Sequence, residues 1–185
     1  MSRSRRVLLV AATEPELCGQ VGLACGIGPV EAAAATARSL ALERPDAVLH
    51  VGVAGGRGVP TGVLVLGTEA VYCDLLAEIP VASRAHPDEA LLAALRAELP
   101  DALTLPIGTS AAVDGPRGSD PETIQVEAME GFAVLRACAH AGVPAVEVRA
   151  VLNEVGERDR ARWEIPRALA ALDAALPRLL AAAAK

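Results

Sequence analysis

Asp46-Ala47-Val48-Leu49-His50-Val51-Gly52-Val53-Ala54-Gly55-Gly56 is the stretch whose reading decides the fold. Asp46–Val53 is an almost unbroken apolar run, rich in Val and short for a helix. That pattern fits a strand buried on both faces. Ala54-Gly55-Gly56 is expected to close it. Upstream, Val30 to Glu43 is an Ala-rich helix, entered through Gly26-Ile27-Gly28-Pro29 and ended by Arg44-Pro45. Pro29 suits a first helical turn. Val7–Thr13, before it, is a first buried strand.

Downstream, Gly62–Cys73 holds one or two strands and Pro87–Leu99 a short amphipathic helix. Leu103–Thr109 is a further strand. Gly131–Ala141 is a helix stopped by Gly142, and Val143–Leu152 is a third strong, Val-rich strand. Ile165–Ala184 is a last helix, with Pro166 in its first turn and Pro177 expected to kink or break it. Strands alternating with helices imply an α/β fold whose mostly parallel sheet is covered on both faces. Ligands of such sheets bind beyond the carboxyl ends of the strands. Thr13–Glu16, Val53–Gly56 and Leu152–Glu154 stand there.

The 185 residues fit one domain, 1–185. Apolar residues make up 52% and aromatic residues 2%, so the core must be Ala, Val and Leu. No run approaches the roughly 20 apolar residues of a spanning helix. Arg3–Arg6 followed by Val7–Ala12 superficially resembles a signal peptide, but the run ends at Glu14 and Glu16, and a first strand fits better. The net charge of −6 disfavours nucleic acid and favours a small ligand. Cys18, Cys25, Cys73 and Cys138 are scattered, and His50, His86 and His140 stand at no metal-ligand spacing from them. Reduced thiols in a cytoplasmic protein, without metal or cofactor, are expected.

Candidate functional residues cluster at the strand ends. Glycines at 26, 28, 55 and 56 let a backbone approach a ligand, and serve ordinary turns as well. Glu14 and Glu16 offer a general base, or simply a solvated loop. In Val126-Glu127-Ala128-Met129-Glu130-Gly131, the Glu130 carboxylate suits a vicinal diol and Met129 suits the face of a sugar. A capping Glu and a core Met fit the spacing equally. Asn153 offers a donor and an acceptor together, and is also a common turn residue.

Taken in order, VLLVAATEPEL, CGIGPVEAAAAT, PDAVLHVGVAGG, VEAMEGFA and VPAVEVRAVLNEVGERDRARWEIP resemble the purine nucleoside phosphorylase and nucleosidase superfamily. Within it they are similar to the methylthioadenosine/S-adenosylhomocysteine nucleosidases and, more closely, to the futalosine hydrolases. The resemblance implies a three-layer α/β/α fold around a mixed, partly closed sheet. It implies a nucleoside substrate, no cofactor, and a homodimer or higher homo-oligomer whose partner subunit completes the 5′ pocket.

It also implies roles. Glu16 falls where nucleosidases carry the water-activating carboxylate, with Glu14 a weaker candidate. Val53, Ala54 and Gly55 lie beside ribose and base. Ala128, Met129 and Glu130 match the segment under the ribose. Ala112 and Val113 fall where the purine is covered, Ala112 replacing the usual aromatic, with Phe132 or Tyr72 as substitutes. Asn153 replaces the Asp of adenine-releasing relatives. An amide can donate to O6 of a 6-oxopurine but cannot readily supply a proton, so hypoxanthine suits it better than adenine. Trp163 falls near the 5′ substituent, and Arg160, or its neighbours Arg158 and Arg162, would pair with an aryl carboxylate.

Related phosphorylases carry an Arg and a Ser where His50 and Val53 stand, and their phosphate loop is replaced by Ala12–Glu16. Water is therefore the expected nucleophile, and futalosine the expected substrate. The alternatives are a methylthioadenosine-type nucleosidase, an inosine phosphorylase, and a nucleoside-binding relative without activity.

Overall fold

The computed structural model describes residues 4–75, 78–112 and 124–185. Strands β1 (Val7–Ala11), β2 (Leu23–Ala24), β3 (Ala47–Gly56), β4 (Leu64–Tyr72), β5 (Arg84–Ala85), β6 (Leu103–Thr109), β7 (Val126–Ala128) and β8 (Ala145–Glu154) form one sheet. Helices α1 (Pro29–Glu43), α2 (Glu89–Glu98), α3 (Gly131–Ala141) and α4 (Ile165–Ala183) cover it.

The sheet runs β2-β1-β3-β7-β6-β4-β5, and β8 pairs with both β3 and β4. The strands β3, β7, β6, β4 and β8 therefore close a ring. Pairings of β3 with β7, β4 with β5 and β4 with β8 are antiparallel, and the others are parallel. The sheet is mixed and partly closed, more antiparallel than alternation alone suggested.

Residue alternation sorts the core into layers. Leu49 and Val51 of β3 and Val146, Val148 and Ala150 of β8 meet α2 and α4 through Leu91, Leu95, Leu172, Leu176 and Leu179. On the opposite face, Val48 of β3 and Ala145 of β8 meet α1 and α3 through Ala32, Leu40, Val134 and Leu135. A small cluster of Val65, Ile107, Val126 and Val151 fills the ring. With so few aromatic side chains, Ala, Val and Leu do carry the core.

Several expectations shift. β3 runs through Ala54-Gly55-Gly56 rather than ending before them, because both glycines are paired, to β7 on one side and β8 on the other. β1 stops at Ala11, and Thr13 instead caps a short 3-10 turn, Glu14–Leu17. Gly62–Cys73 yields one strand, irregular between Gly67 and Ala70. Pro106 of β6 lies opposite that irregularity and has no N–H to give a regular ladder. α4 continues through Pro177; the missing N–H costs one intrahelical bond, and burial of Leu172, Leu176 and Leu179 offsets it. Cys25, Cys73 and Cys138 are buried and Cys18 is half-buried. Burial pushes the Cys138 thiol up to about 12 and, with Glu130 nearby, the Cys25 thiol up to about 11, which leaves both protonated and inert.

Candidate active site

A cleft of about 340 Å³ opens beyond the carboxyl ends of β1, β3 and β8, a volume suited to a small ligand. Glu16, Val53, Ala54, Gly55, Ala112, Ala128, Met129, Glu130, Asn153 and Trp163 all line it. Val113 lies outside the described residues. Arg160 is exposed and is not part of the wall; its guanidinium lies over the Trp163 ring, 5.5 Å from the centroid. Glu14 is exposed, and the 3-10 turn that carries it presents Glu16 to the cleft instead.

Glu16 is 6% exposed and firmly held. Its Oε2 accepts from the Thr13 backbone N–H at 2.9 Å and the Thr13 hydroxyl at 2.7 Å. Its Oε1 accepts from the Val53 N–H at 3.0 Å. Glu130, at the N-terminus of α3, accepts from the Gly28 N–H at 3.1 Å through Oε1. The Gly26–Pro29 turn thus fixes a carboxylate whose other oxygen, Oε2, faces Arg149 Nη2 at 3.4 Å.

Beneath these two acids lies a charged layer that the sequence reading did not identify. Arg149 is completely buried. Its Nε donates to Glu147 Oε1 at 2.8 Å and its Nη2 to His50 Nε2 at 2.6 Å. His50 Nδ1–H donates to the Val10 carbonyl at 3.1 Å, which fixes the imidazole tautomer. Burial, reinforced by the Arg149 charge, holds the His50 pKa well below its usual value. Burial raises the Glu147 pKa against the opposing pull of Arg149. Two glycines make room. Gly52 is the pairing partner of Arg149, and a Cβ on it would stand 2.3 Å from Arg149 Nη1 and 2.8 Å from Glu16 Oε1. A Cβ on Gly131 would stand 2.2 Å from Glu147 Oε2. The signal was Glu147-Val148-Arg149: two opposite charges, two residues apart in a Val-rich strand, share one face and pair there.

His50 is buried within β3 and does not line the cleft; its ring is a strut for Arg149. One expectation is corrected here. Tyr72 and Phe132 stack on each other, with centroids 5.2 Å apart, and neither reaches the cleft wall; neither supplies the ring that Ala112 lacks. Among the neighbouring arginines, Arg162 pairs with Glu157 at 2.9 Å. Glu157 also accepts the Trp163 indole N–H through its backbone carbonyl at 2.9 Å, so the Trp is braced by its own loop. The cleft wall further includes Glu127, whose carboxylate pairs with Arg57 and whose pKa burial raises.

Two buried carboxylates, Glu16 and Glu130, thus stand in an otherwise largely apolar cleft of small-ligand size. The chain belongs to the Phosphorylase superfamily, whose family model matches residues 17–185. More particularly, it is 40% identical to the futalosine hydrolase of Streptomyces coelicolor, over 85% of this chain and 77% of that one. It is 35% identical to the futalosine hydrolase of Thermus thermophilus, over 88% and 82% of the two chains. A solved methylthioadenosine/S-adenosylhomocysteine nucleosidase from Colwellia psychrerythraea, in complex with adenine, shares the fold. Its TM-score is 0.84 at 21% identity, and the match covers 97% of this chain and 96% of that one. No helix among the described residues is long and apolar enough to cross a membrane.

Proposed function

We propose that this chain hydrolyses the N-glycosidic bond of futalosine and releases hypoxanthine. One observation carries the reading beyond the similarity itself. Glu16 lines the cleft and its carboxylate is fixed there by Thr13 and by the Val53 N–H. A water molecule in the cleft that donates to this carboxylate is oriented by it and activated as its proton passes across. Phosphate is disfavoured because Glu16 and Glu130 would repel it.

In the reaction, the water oxygen bonds to the anomeric carbon. The C1′–N9 bond breaks, its electron pair leaves on the base as an anion that takes a proton from solvent to give hypoxanthine, and one water proton passes to Glu16. Glu130 holds the ribose hydroxyls and, being ionised, faces the positive charge that develops on the sugar. Met129 covers the ribose. Asn153 meets the base at O6 and N7 but carries no acidic proton, which suits hypoxanthine as the leaving group. Trp163 covers the aryl end and Arg160 pairs with its carboxylate. Ile27, on the cleft wall, is 62% exposed, and Val30 beyond it on α1 is 77% exposed, which supports a second copy of the chain covering that side.

Incubation with futalosine, inosine and methylthioadenosine, with and without phosphate, tests this by chromatography of the free base. Hypoxanthine release from futalosine, indifferent to phosphate, is expected. Adenine release, or a strict phosphate requirement, would refute it. N153D restores a proton donor at the base, and should raise adenine release relative to hypoxanthine release by about tenfold.

A further inference from the structure

Thr13 holds Glu16 through two donors, and only one of them depends on its side chain. The backbone N–H reaches Glu16 Oε2 at 2.9 Å, and the hydroxyl reaches the same oxygen at 2.7 Å. Any residue except proline would supply the N–H, so the hydroxyl is an added feature of this sequence. The Thr13 backbone is extended, with φ −133° and ψ 158°, and its β-branched side chain is stiff at χ1. The hydroxyl is thus held at both ends, by its own backbone and by the carboxylate.

Thr13 is half-buried and lines the cleft beside Glu16. The wall next to the pair includes Ala12, Pro15, Val53 and Leu169, none of which has a polar side chain. A hydroxyl carries one proton and two lone pairs. Here the proton is committed to Glu16, so Thr13 meets a ligand only as an acceptor. Glu16 has room as well: Oε2 takes both Thr13 donors, whereas Oε1 takes the Val53 N–H alone and keeps a lone pair. Two acceptors therefore stand side by side on the cleft wall, joined by a 2.7 Å hydrogen bond.

We propose that Thr13 is the second holder of the nucleophilic water, which donates one hydrogen bond to Glu16 and the other to the Thr13 oxygen. This deepens the proposed function and rests on it. A water bonded to Glu16 alone can rotate about that single bond, and its oxygen faces the sugar only part of the time. A second acceptor stops the rotation and turns a lone pair toward the anomeric carbon. As the new O–C1′ bond forms, one water proton passes to Glu16 and the other stays on the product hydroxyl. Thr13 keeps its own proton throughout.

The test compares the wild type with T13V, which keeps the shape, and T13S, which keeps the hydroxyl. Futalosine turnover is followed in water and in water containing methanol, with the free base and the methyl glycoside separated by chromatography. T13V should lower kcat about tenfold with KM unchanged, and T13S should recover most of the loss. Methanol has a single O–H and cannot serve two acceptors, so T13V should also raise the ratio of methanolysis to hydrolysis several-fold. If Thr13 merely shaped the Glu16 turn, both products would fall together; an unchanged ratio in folded T13V overturns the proposal. A crystal structure decides the point without turnover. A water within about 3.2 Å of both the Thr13 hydroxyl and the Glu16 carboxylate is expected in the wild type and not in T13V, and its absence from the wild type overturns the proposal. If that water is present but futalosine is left intact, the substrate assignment fails and the role of Thr13 stands.

Discussion

The floor of the cleft and its outer lip are built on opposite plans. On and beneath the floor, Glu16, Glu130, Arg149, Glu147 and His50 are all buried; Arg149 bonds Glu130, Glu147 and His50, and Glu16 is held by Thr13 and the Val53 N–H. At the lip, Arg160 and Arg162 are exposed, and the half-buried Trp163 packs on the edge of the core with its indole N–H held by its own loop. A buried charged network is rigid because each member, if moved, leaves another unpaired in a dry place. An exposed loop can change without such a penalty. On the proposed function, bond cleavage falls to the floor, and recognition of the far end of the substrate to the lip.

The sharpest way to break this contrast is E16Q. An amide keeps the shape but cannot take a proton from water, and kcat should fall by about 10²–10⁴-fold, with circular dichroism unchanged. A loss of only a few-fold would remove Glu16 from the reaction. G52A comes next. Its Cβ would overlap the Arg149 guanidinium, which has nowhere to retreat, and thermal unfolding should show a loss of about 1–3 kcal/mol together with most of the activity. If G52A unfolds like the wild type, the packing above Gly52 is wrong.

H50Q probes the same floor through pH. His50 is held neutral in the folded protein, whereas in the unfolded chain it titrates near the ordinary value of 6.5. Its contribution is complete above that pH and is lost as the pH falls below it, because the unfolded chain then binds the extra proton. Glu147 acts in the opposite sense, since a raised carboxyl pKa costs stability as pH rises through 4.5. H50Q removes only the histidine effect, so the fall in wild-type stability between pH 6.5 and 5 should flatten by up to about 1.4 kcal/mol per pH unit. Equal slopes would mean that the imidazole takes up its proton as readily in the folded protein as in the unfolded chain. R160A, at the lip, is the mildest change: KM for futalosine should rise a few-fold with kcat preserved, as expected for a partly solvated ion pair worth about 1 kcal/mol. A collapse of kcat would move Arg160 from the lip to the chemistry.

What the sequence made legible follows the same division. The long elements were readable because Val-rich runs, proline entries and glycine exits mark them locally: Leu103–Thr109 and Gly131–Ala141 match their observed bounds. β2, β5 and β7, of two or three residues each, exist through pairing with distant strands and carry no periodicity of their own. The cleft residues were legible because resemblance supplies their positions along the chain. The layer beneath was not, because Glu147 and Arg149 interrupt an apolar strand, and only the pairing of β8 with β3 shows that Gly52 makes space for them. Pro177 misled for a related reason: local chemistry predicts a break, while the burial on either side is a tertiary fact.

β8 carries one residue more than β3 where the two run together, between Val151 facing Ala54 and Asn153 facing Gly55. That single slip of phase decides which side chain occupies the rung shared with Gly55. Without it Leu152 would stand there, and the amide would sit one step further along, beside Gly56. The polarity of the base end is thus encoded as a count of residues as much as by their identity. A one-residue deletion at Leu152 would return the ladder to even step with Asn153 still beside Gly55, and would remove only the Leu152 side chain from the cleft wall.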